Sequence, residues 1–190
     1  MIAPMADTDF QKLGYRLLPQ FLDIELCGRL TQHALTRAKD TAAFSDDKQV
    51  PGTPAIYGDP IMERLLARLA PTVGGIVGLA LYPTYSYFRV YRPGDTLPKH
   101  VDRPSCQISM TLSLGFEAPA PWPIWFAGTD GSSRAFHLAP GDAAIYRGMD
   151  VPHWRDAFAG TYAAQVFLHY VDQNGPYSEW KFDKRSGLTL

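Results

Sequence analysis

The chain has 190 residues, of which 46% are hydrophobic and 19% charged, a composition typical of a globular protein that buries a sizeable core. Its formal net charge is −1, so the overall charge does not point to a nucleic-acid or membrane-surface partner. No apolar run reaches the roughly 18 residues that a membrane-spanning helix needs. We therefore expect one globular domain, residues 1–190, without a nucleic-acid or membrane partner.

The N-terminal residues and the cysteines bear on where the protein works. Residues 1–7 contain no basic cluster and no long apolar run, so no secretory signal peptide is predicted. The two cysteines, Cys27 and Cys106, do not have the spacing of metal ligands. We expect both to be buried thiols in a reducing compartment rather than a disulfide, which favours a cytoplasmic protein.

Two helices are predicted in the first part of the chain. Asp23 is placed to cap a helix over about 24–39, with an apolar stripe made of Ile24, Cys27, Leu30, Ala34 and Leu35. Residues 40–56 are polar and interrupted by proline and glycine, and we expect a loop there. Asp59-Pro60 begins a second helix, which Gly74-Gly75 is expected to end or interrupt.

From residue 81 the pattern changes to short strands separated by turn residues. The candidates are 84–92, 106–114, 122–127, 134–139, 142–146 and 161–171. Helices followed by about eight short strands predict an α+β protein, and a double-stranded β-helix, or jelly roll, has this order. We expect a helical part over about 1–80, a jelly-roll core over about 81–172 and a tail over 173–190.

The most informative motif is His100-Val101-Asp102, which His153 follows later in the chain. On one strand, His100 and Asp102 would point to the same face, because side chains alternate along a strand. Two imidazoles and one carboxylate make the facial triad that holds Fe(II) and leaves coordination positions open. A surface turn with a local Asp–His hydrogen bond is the alternative for this pair, and His137 is the alternative third ligand.

The order of these elements resembles that of the 2-oxoglutarate- and Fe(II)-dependent oxygenase superfamily, in its prolyl-hydroxylase-like and phytanoyl-hydroxylase-like branches. The resemblance covers about residues 14–171 and rests on the two helices, the segments GDTLPKHVD (94–102) and GDAAIY (141–146), and His153. It implies that His100, Asp102 and His153 bind iron and that Tyr91 lies near the co-substrate. It also implies an enzyme that consumes 2-oxoglutarate and O2, releases succinate and CO2, and hydroxylates an aliphatic C–H of a small molecule or an amino-acid side chain.

The sequence departs from this family at the site for the far carboxylate of 2-oxoglutarate. The family has an Arg or Lys on the last core strand, about ten residues after the distal His, whereas residues 160–165 here contain no cation. Arg89, Arg155 and Gln165 are the candidates to replace it. We prefer Arg89 or Arg155, because a guanidinium forms two parallel hydrogen bonds to a carboxylate.

Several alternatives remain open at this point. The missing cation also suits a cupin-like metal-dependent dioxygenase or isomerase that does not use 2-oxoglutarate, and a non-enzymatic jelly-roll binding domain is a further possibility. Arg103 is expected either to face substrate or to form a surface salt bridge. The tail, with Trp180 and Arg185, either closes over the site as a lid or packs on the body, and the aromatic residues of 122–126 are expected to pack within the sheets.

Overall fold

The protein is described by a computed structural model over residues 8–45 and 48–190. The expectation of a missing signal peptide concerns residues 1–7 and lies outside this range. Three α-helices are described: α1 (Thr8–Leu13), α2 (Ile24–Arg37) and α3 (Pro60–Val77). Short 3-10 turns cover Thr41–Ala43 and Pro104–Cys106, and the segment Ser178–Lys184 contains 3-10 turns interrupted by a kink at residues 181–183. None of the helices within these ranges has the length and apolar character to cross a bilayer.

Helix α2 begins as predicted, because the Asp23 carboxylate accepts a hydrogen bond from the Leu26 amide at 3.0 Å. Cys27, Leu30 and Ala34 are buried on the face that packs on the sheet. The inclusion of Ile24 in this stripe was wrong, since 62% of Ile24 is exposed. Ile24 is the first helical residue, and the buried face begins one turn later.

Helix α3 also begins as predicted, at Pro60, with the Asp59 carboxylate accepting from two amides of the first turn. The prediction that Gly74-Gly75 ends or interrupts it was wrong, because the helix continues to Val77. A Cβ at Gly74 would lie 2.7 Å from the Leu79 carbonyl oxygen, so this glycine permits a close approach of the backbone. The helix ends at Gly78, whose φ of 74° is left-handed.

Ten strands are described in these residues, and all their pairings are antiparallel. They are β1 (Tyr15–Leu18), β2 (Ala55–Tyr57), β3 (Leu81–Tyr91), β4 (Leu97–His100), β5 (Ile108–Glu117), β6 (Pro123–Ala127), β7 (Ser133–His137), β8 (Ala143–Tyr146), β9 (His153–Arg155) and β10 (Tyr162–Asp172). The larger sheet has the order β1-β8-β5-β10-β3-β2, and the smaller sheet has the order β4-β9-β6-β7. The chain is therefore a mixed α and β protein built on two antiparallel sheets.

All six predicted strands are present with shifted ends, but four short strands were missed. One of them, β2, contradicts the loop predicted over 40–56. The missed strands β1, β2, β4 and β9 have only three or four residues. So few residues cannot show an alternating pattern, and each of these strands forms because a neighbouring strand offers hydrogen bonds.

The largest buried cluster joins α2 and α3 to the larger sheet, with Leu66, Phe88 and Leu112 among its members. Two smaller clusters contain residues from both sheets and so lie between them. Trp122 and Phe126 are buried there, as predicted for this aromatic segment. Cys27 and Cys106 are buried free thiols, which confirms that they do not form a disulfide.

Candidate metal centre

The candidate ligands come together at one end of the smaller sheet. Two of them, His100 and His153, lie on its strands β4 and β9, and Asp102 lies in the loop that follows β4. His100 ends β4, His153 begins β9, and the two residues lie opposite each other in the register. The prediction that His100 and Asp102 share one strand was wrong, because Asp102 lies in the loop beyond β4. Its amide donates to the Gly148 carbonyl at 2.8 Å, and this bond turns the loop back toward the two imidazoles.

The three side chains have the spacing of ligands around one ion. Nε2 of His100 and Nε2 of His153 each lie 3.6 Å from Oδ1 of Asp102, and the three ligand atoms are within 4.8 Å of one another. Nitrogen and oxygen ligands lie about 2 Å from a divalent transition metal, which separates two neighbouring ligands by about 3 to 3.5 Å. A small relaxation would therefore place a metal ion between these three atoms.

Hydrogen bonds fix which nitrogen of each imidazole faces Asp102. Nδ1 of His100 lies 2.7 Å from the Pro98 carbonyl oxygen, and Nδ1 of His153 lies 3.0 Å from that of Val151. Because a carbonyl only accepts, Nδ1 carries the hydrogen in both rings and Nε2 of the neutral ring carries a lone pair. When both rings are neutral, two lone pairs and a carboxylate oxygen converge, an arrangement that either a proton on His100 Nε2 or a cation among the three atoms would stabilise.

The charges of this cluster follow from its burial. Burial raises the pKa of Asp102, but the hydrogen bond with His100 and the nearby His153 lower it more, so this pKa lies below its usual value and the carboxylate is ionised. Burial lowers the pKa of His153, which favours the neutral ring that binds a metal. For His100, burial lowers the pKa, but its bonds to Asp102 and Pro98 raise it above the ordinary value.

A second group of possible ligand atoms, on Asp102, Cys106 and His169, adjoins the first. Ser109 lies between two of them, with Oγ 2.9 Å from Asp102 Oδ2 and 2.9 Å from His169 Nδ1. Burial raises the pKa of the Cys106 thiol to about 12, so its sulfur stays protonated at neutral pH. Ser109 thus links Asp102 and His169 of this second group through hydrogen bonds.

The metal-ligand candidates open onto a cavity of about 650 Å³. Its wall combines aromatic rings with polar and charged side chains, among them Arg89 from β3. The other lining residues used below are Tyr57, Tyr85, Tyr87, Phe167, Arg103 and His169. His137 lies exposed on β7 and belongs to neither ligand group in the described residues. It therefore does not compete with His153.

Arg89 is the predicted co-substrate residue that borders this cavity. Its side chain is buried, and Nη1 donates to the Tyr91 hydroxyl at 2.8 Å. The two residues are two positions apart on β3, so their side chains lie on the same face. Tyr91 is fully buried, and its ring packs edge-on against Trp122 at 4.7 Å between centroids.

Arg155 and Gln165 pair with each other inside the protein. Arg155 donates from Nη1 to the Trp122 carbonyl at 2.9 Å and from Nη2 to Gln165 Oε1 at 3.4 Å. Neither is among the described residues that line the cavity. The guanidinium of Arg155, which lies on β9, is thus next to Gln165 on β10, the last core strand, which has no cation of its own at this position.

The C-terminal segment packs beside the cavity mouth. Asp183 accepts hydrogen bonds from both terminal nitrogens of Arg103 at 2.8 Å and from the Tyr57 hydroxyl at 2.7 Å. Arg103 therefore forms the expected salt bridge and also borders the cavity. Arg185 binds the fully buried carboxylate of Glu63 on α3 at 2.6 Å, so the tail is packed on the body of the protein.

Sequence reasoning missed the residues that support this site from a distance. Ser109 is one of them, because its hydroxyl donates to Asp102, a contact that the His-Val-Asp motif does not indicate. Tyr57 and Asp183 contribute from segments far apart in the chain, so no local spacing pattern connects them. The one available signal was the serine and threonine parity on β5, which predicts a polar face but not its partner.

No protein-family model matches the sequence, and a search of curated proteins found no match. Solved structures do match. A Pseudomonas putida prolyl-4-hydroxylase is 19% identical with a TM-score of 0.72, over 86% of this chain and 95% of that one. EctD from S. alaskensis, solved with 2-oxoglutarate and 5-hydroxyectoine, is 17% identical with a TM-score of 0.74, over 100% of this chain and 88% of that one.

The non-heme α-ketoglutarate-dependent epimerase SnoN from nogalamycin biosynthesis is also similar, at 12% identity and a TM-score of 0.68, over 86% of this chain and 78% of that one. These three proteins differ in reaction but share one fold. The chain therefore has the fold of the non-heme iron and 2-oxoglutarate-dependent oxygenases. At the level of the fold, this confirms the resemblance drawn from the sequence.

Proposed function

We propose that the protein is an Fe(II)- and 2-oxoglutarate-dependent oxygenase, a single domain whose two sheets form a double-stranded β-helix. The observation that carries this proposal is the convergence of His100 Nε2, His153 Nε2 and Asp102 Oδ1 on one point, with both Nδ1 atoms held by backbone carbonyls. These three residues would bind the iron. When bound, iron supplies the coupling of O2 reduction and 2-oxoglutarate decarboxylation to substrate oxidation.

Arg89 holds the far carboxylate of 2-oxoglutarate in this proposal, and Tyr91 supports Arg89. Arg89 borders the cavity that the metal-ligand candidates share, and a buried guanidinium on a cavity wall suits a carboxylate of the ligand, because its fork can form two parallel hydrogen bonds. The Tyr91 hydroxyl, which accepts from Arg89 at 2.8 Å, orients the guanidinium. Arg155 lies farther inside, beside Gln165, and its charge adds positive potential rather than a direct contact.

The substrate is proposed to be a small molecule or an amino-acid side chain, with hydroxylation of an aliphatic C–H as the reaction. The cavity of about 650 Å³ is in the range of small-molecule sites and is larger than 2-oxoglutarate needs. Several of its aromatic faces are already covered by guanidinium groups: Arg103 over Tyr85, Arg185 over Tyr57 and Arg89 over Tyr87. A cationic substrate therefore finds little attraction there.

The test is binding of 2-oxoglutarate to the anaerobic Fe(II)-loaded protein, followed by its weak visible metal-to-ligand charge-transfer band. We expect a band in the wild type and in His137→Ala, a matched control at an exposed histidine. His100→Ala should lack the band. Stoichiometric iron without a band would overturn the use of 2-oxoglutarate and favour the cupin-like alternative, whereas no iron binding would leave a non-enzymatic binding domain.

A further inference from the structure

The two carboxylate oxygens of Asp102 have different surroundings. Oδ1 faces Nε2 of both histidines at 3.6 Å, whereas Oδ2 accepts a hydrogen bond from the Ser109 hydroxyl at 2.9 Å. Ser109 lies on β5 of the larger sheet and is fully buried. A residue of the larger sheet thus forms a hydrogen bond with the carboxylate oxygen that does not face the histidines.

The Ser109 hydroxyl has three neighbours but one hydrogen. Asp102 Oδ2 lies at 2.9 Å, the Cys106 carbonyl at 3.1 Å and His169 Nδ1 at 2.9 Å. The carboxylate and the carbonyl can only accept, so the hydroxyl hydrogen goes to one of them, and the ionised, nearer Asp102 is the stronger acceptor. His169 must then donate from Nδ1 to Ser109, which fixes the hydrogen of this neutral buried ring on Nδ1.

Gly148 packs closely against the hydrogen bond between Ser109 and Asp102. A Cβ at Gly148 would lie 2.5 Å from Asp102 Oδ2, 2.7 Å from Ser109 Oγ and 2.3 Å from the Cys106 carbonyl oxygen. The Gly148 carbonyl also accepts the Asp102 amide at 2.8 Å. Any side chain at this position would push the carboxylate away from Ser109, so the space itself requires glycine.

We propose that Ser109, His169 and Gly148 form a carboxylate clamp that restricts Asp102 to binding iron through Oδ1 alone. The clamp residues are positioning residues, and the inference rests on the proposed function. A carboxylate that binds through both oxygens would take two coordination positions. With one oxygen held by Ser109, three protein ligands leave three positions, which is the number that a chelating keto acid and O2 require.

The test uses Co(II) as the probe, because its visible absorption reports coordination number and its binding does not need turnover. Ser109→Ala removes the donor to Oδ2. We expect its dissociation constant for Co(II) to rise by about 10- to 100-fold, because the carboxylate is no longer held in the orientation that binds the ion. The spectrum should also change, because the released Oδ2 can then enter the coordination shell. Ser86→Ala is the matched control, since Ser86 is an equally buried serine on β3 whose hydroxyl has no partner among the described residues.

A second pair of variants separates positioning from folding. His169→Phe keeps a ring but removes the Nδ1 donor, whereas His169→Asn places an amide nitrogen near the same point. We expect Phe to weaken Co(II) binding as Ser109→Ala does and Asn to restore it to within a few-fold of the wild type. Thermal melting of the metal-free proteins shows which variants are folded, so a misfolded Ser109→Ala leaves the His169 pair to decide.

The outcomes distinguish this proposal from the proposed function. If the wild type does not bind Co(II), the metal site itself fails. If the wild type binds Co(II) and folded Ser109→Ala or His169→Phe binds it with the same affinity and spectrum, the metal site stands and the clamp is overturned.

Discussion

Arg89 and Arg155 are two buried guanidinium groups with unequal surroundings. Arg89 borders the cavity and donates to Tyr91, whereas Arg155 is bound to Trp122 and Gln165. Burial lowers the pKa of Arg155 to about 10, which still leaves it charged at neutral pH. The sequence predicted both residues as candidates for the co-substrate but could not rank them. The position of a residue along a strand does not reveal whether its side chain borders a cavity or is enclosed between the sheets.

Replacing Arg89 should weaken the binding of 2-oxoglutarate and leave the binding of the metal unchanged. We expect Arg89→Ala to raise the KM for 2-oxoglutarate at least about tenfold, since one charge-assisted hydrogen bond contributes more than about 1.4 kcal/mol. The KM of Arg89→Lys should lie between those of the wild type and Arg89→Ala, because an ammonium group keeps the charge but lacks the forked geometry. Succinate formation against 2-oxoglutarate concentration measures the effect, and the exposed Arg134→Ala is the control. An unchanged KM in Arg89→Ala would contradict the assignment.

His169 should make stability depend on pH. Burial lowers its pKa to about 4, below the value of about 6.5 expected in the unfolded chain. Between these values the unfolded chain binds a proton that the folded protein does not, so the free energy of unfolding falls as the pH drops from about 6.5 toward 4 and is level above it. A shift of this size corresponds to roughly 3 kcal/mol.

Urea denaturation of the metal-free protein at pH 7 and pH 5 measures this dependence. His169→Asn cannot take up this proton, so its stability should fall less between the two pH values than that of the wild type. Equal losses in the two proteins would show that other buried groups, such as His153, account for the whole pH dependence.

Among the secondary-structure elements, the long ones were predictable, whereas strands of three or four residues were mostly missed, with β8 as the exception. Helices α2 and α3 carry capping aspartates, and β3, β5 and β10 are long enough to be recognised from their composition. Strands β4 and β9, which carry the two histidines, exist through their pairing with each other. The motif therefore identified the candidate ligands correctly as neighbours while misplacing Asp102 on a strand.

The C-terminal segment shows the same limit of local patterns. Phe182, Asp183 and Lys184 all have left-handed backbone angles, with φ of 53°, 56° and 61°. Such angles are costly for residues other than glycine and persist only where the surroundings hold them. Here the holding contacts are made by Arg103 and Glu63, which are distant in sequence, so no pattern in the tail itself predicts its path.

The pairing of this segment with α3 should be visible in stability. Glu63 is fully buried, so Arg185→Ala would leave its carboxylate without the charged partner and should lower the free energy of unfolding by about 3 kcal/mol. Adding Glu63→Gln should recover much of this loss, because the uncompensated charge is then gone. Urea denaturation of both variants measures it, and a double variant no more stable than Arg185→Ala would contradict the argument.

The two sheets of the protein are supported unequally. Helices α2 and α3 pack on strands of the larger sheet, β3, β5 and β10. The smaller sheet carries both histidines, and β4, with His100, is its edge strand. Its pairing with β9 has a shift in register between Leu97 and His100. The candidate ligands thus come from the less supported half and from the loop that leaves it.

This asymmetry has a consequence for the amide hydrogens. Without metal, amides of β4, β9 and the loop at Asp102 should exchange with deuterium faster than those of β5 and β10, because local opening of an edge strand breaks few contacts. A bound ion would tie the edge strand, its neighbour and the loop together, and should slow exchange in those three segments while β5 and β10 stay unchanged. The ion would then stabilise the smaller sheet against local opening, in addition to its role in catalysis.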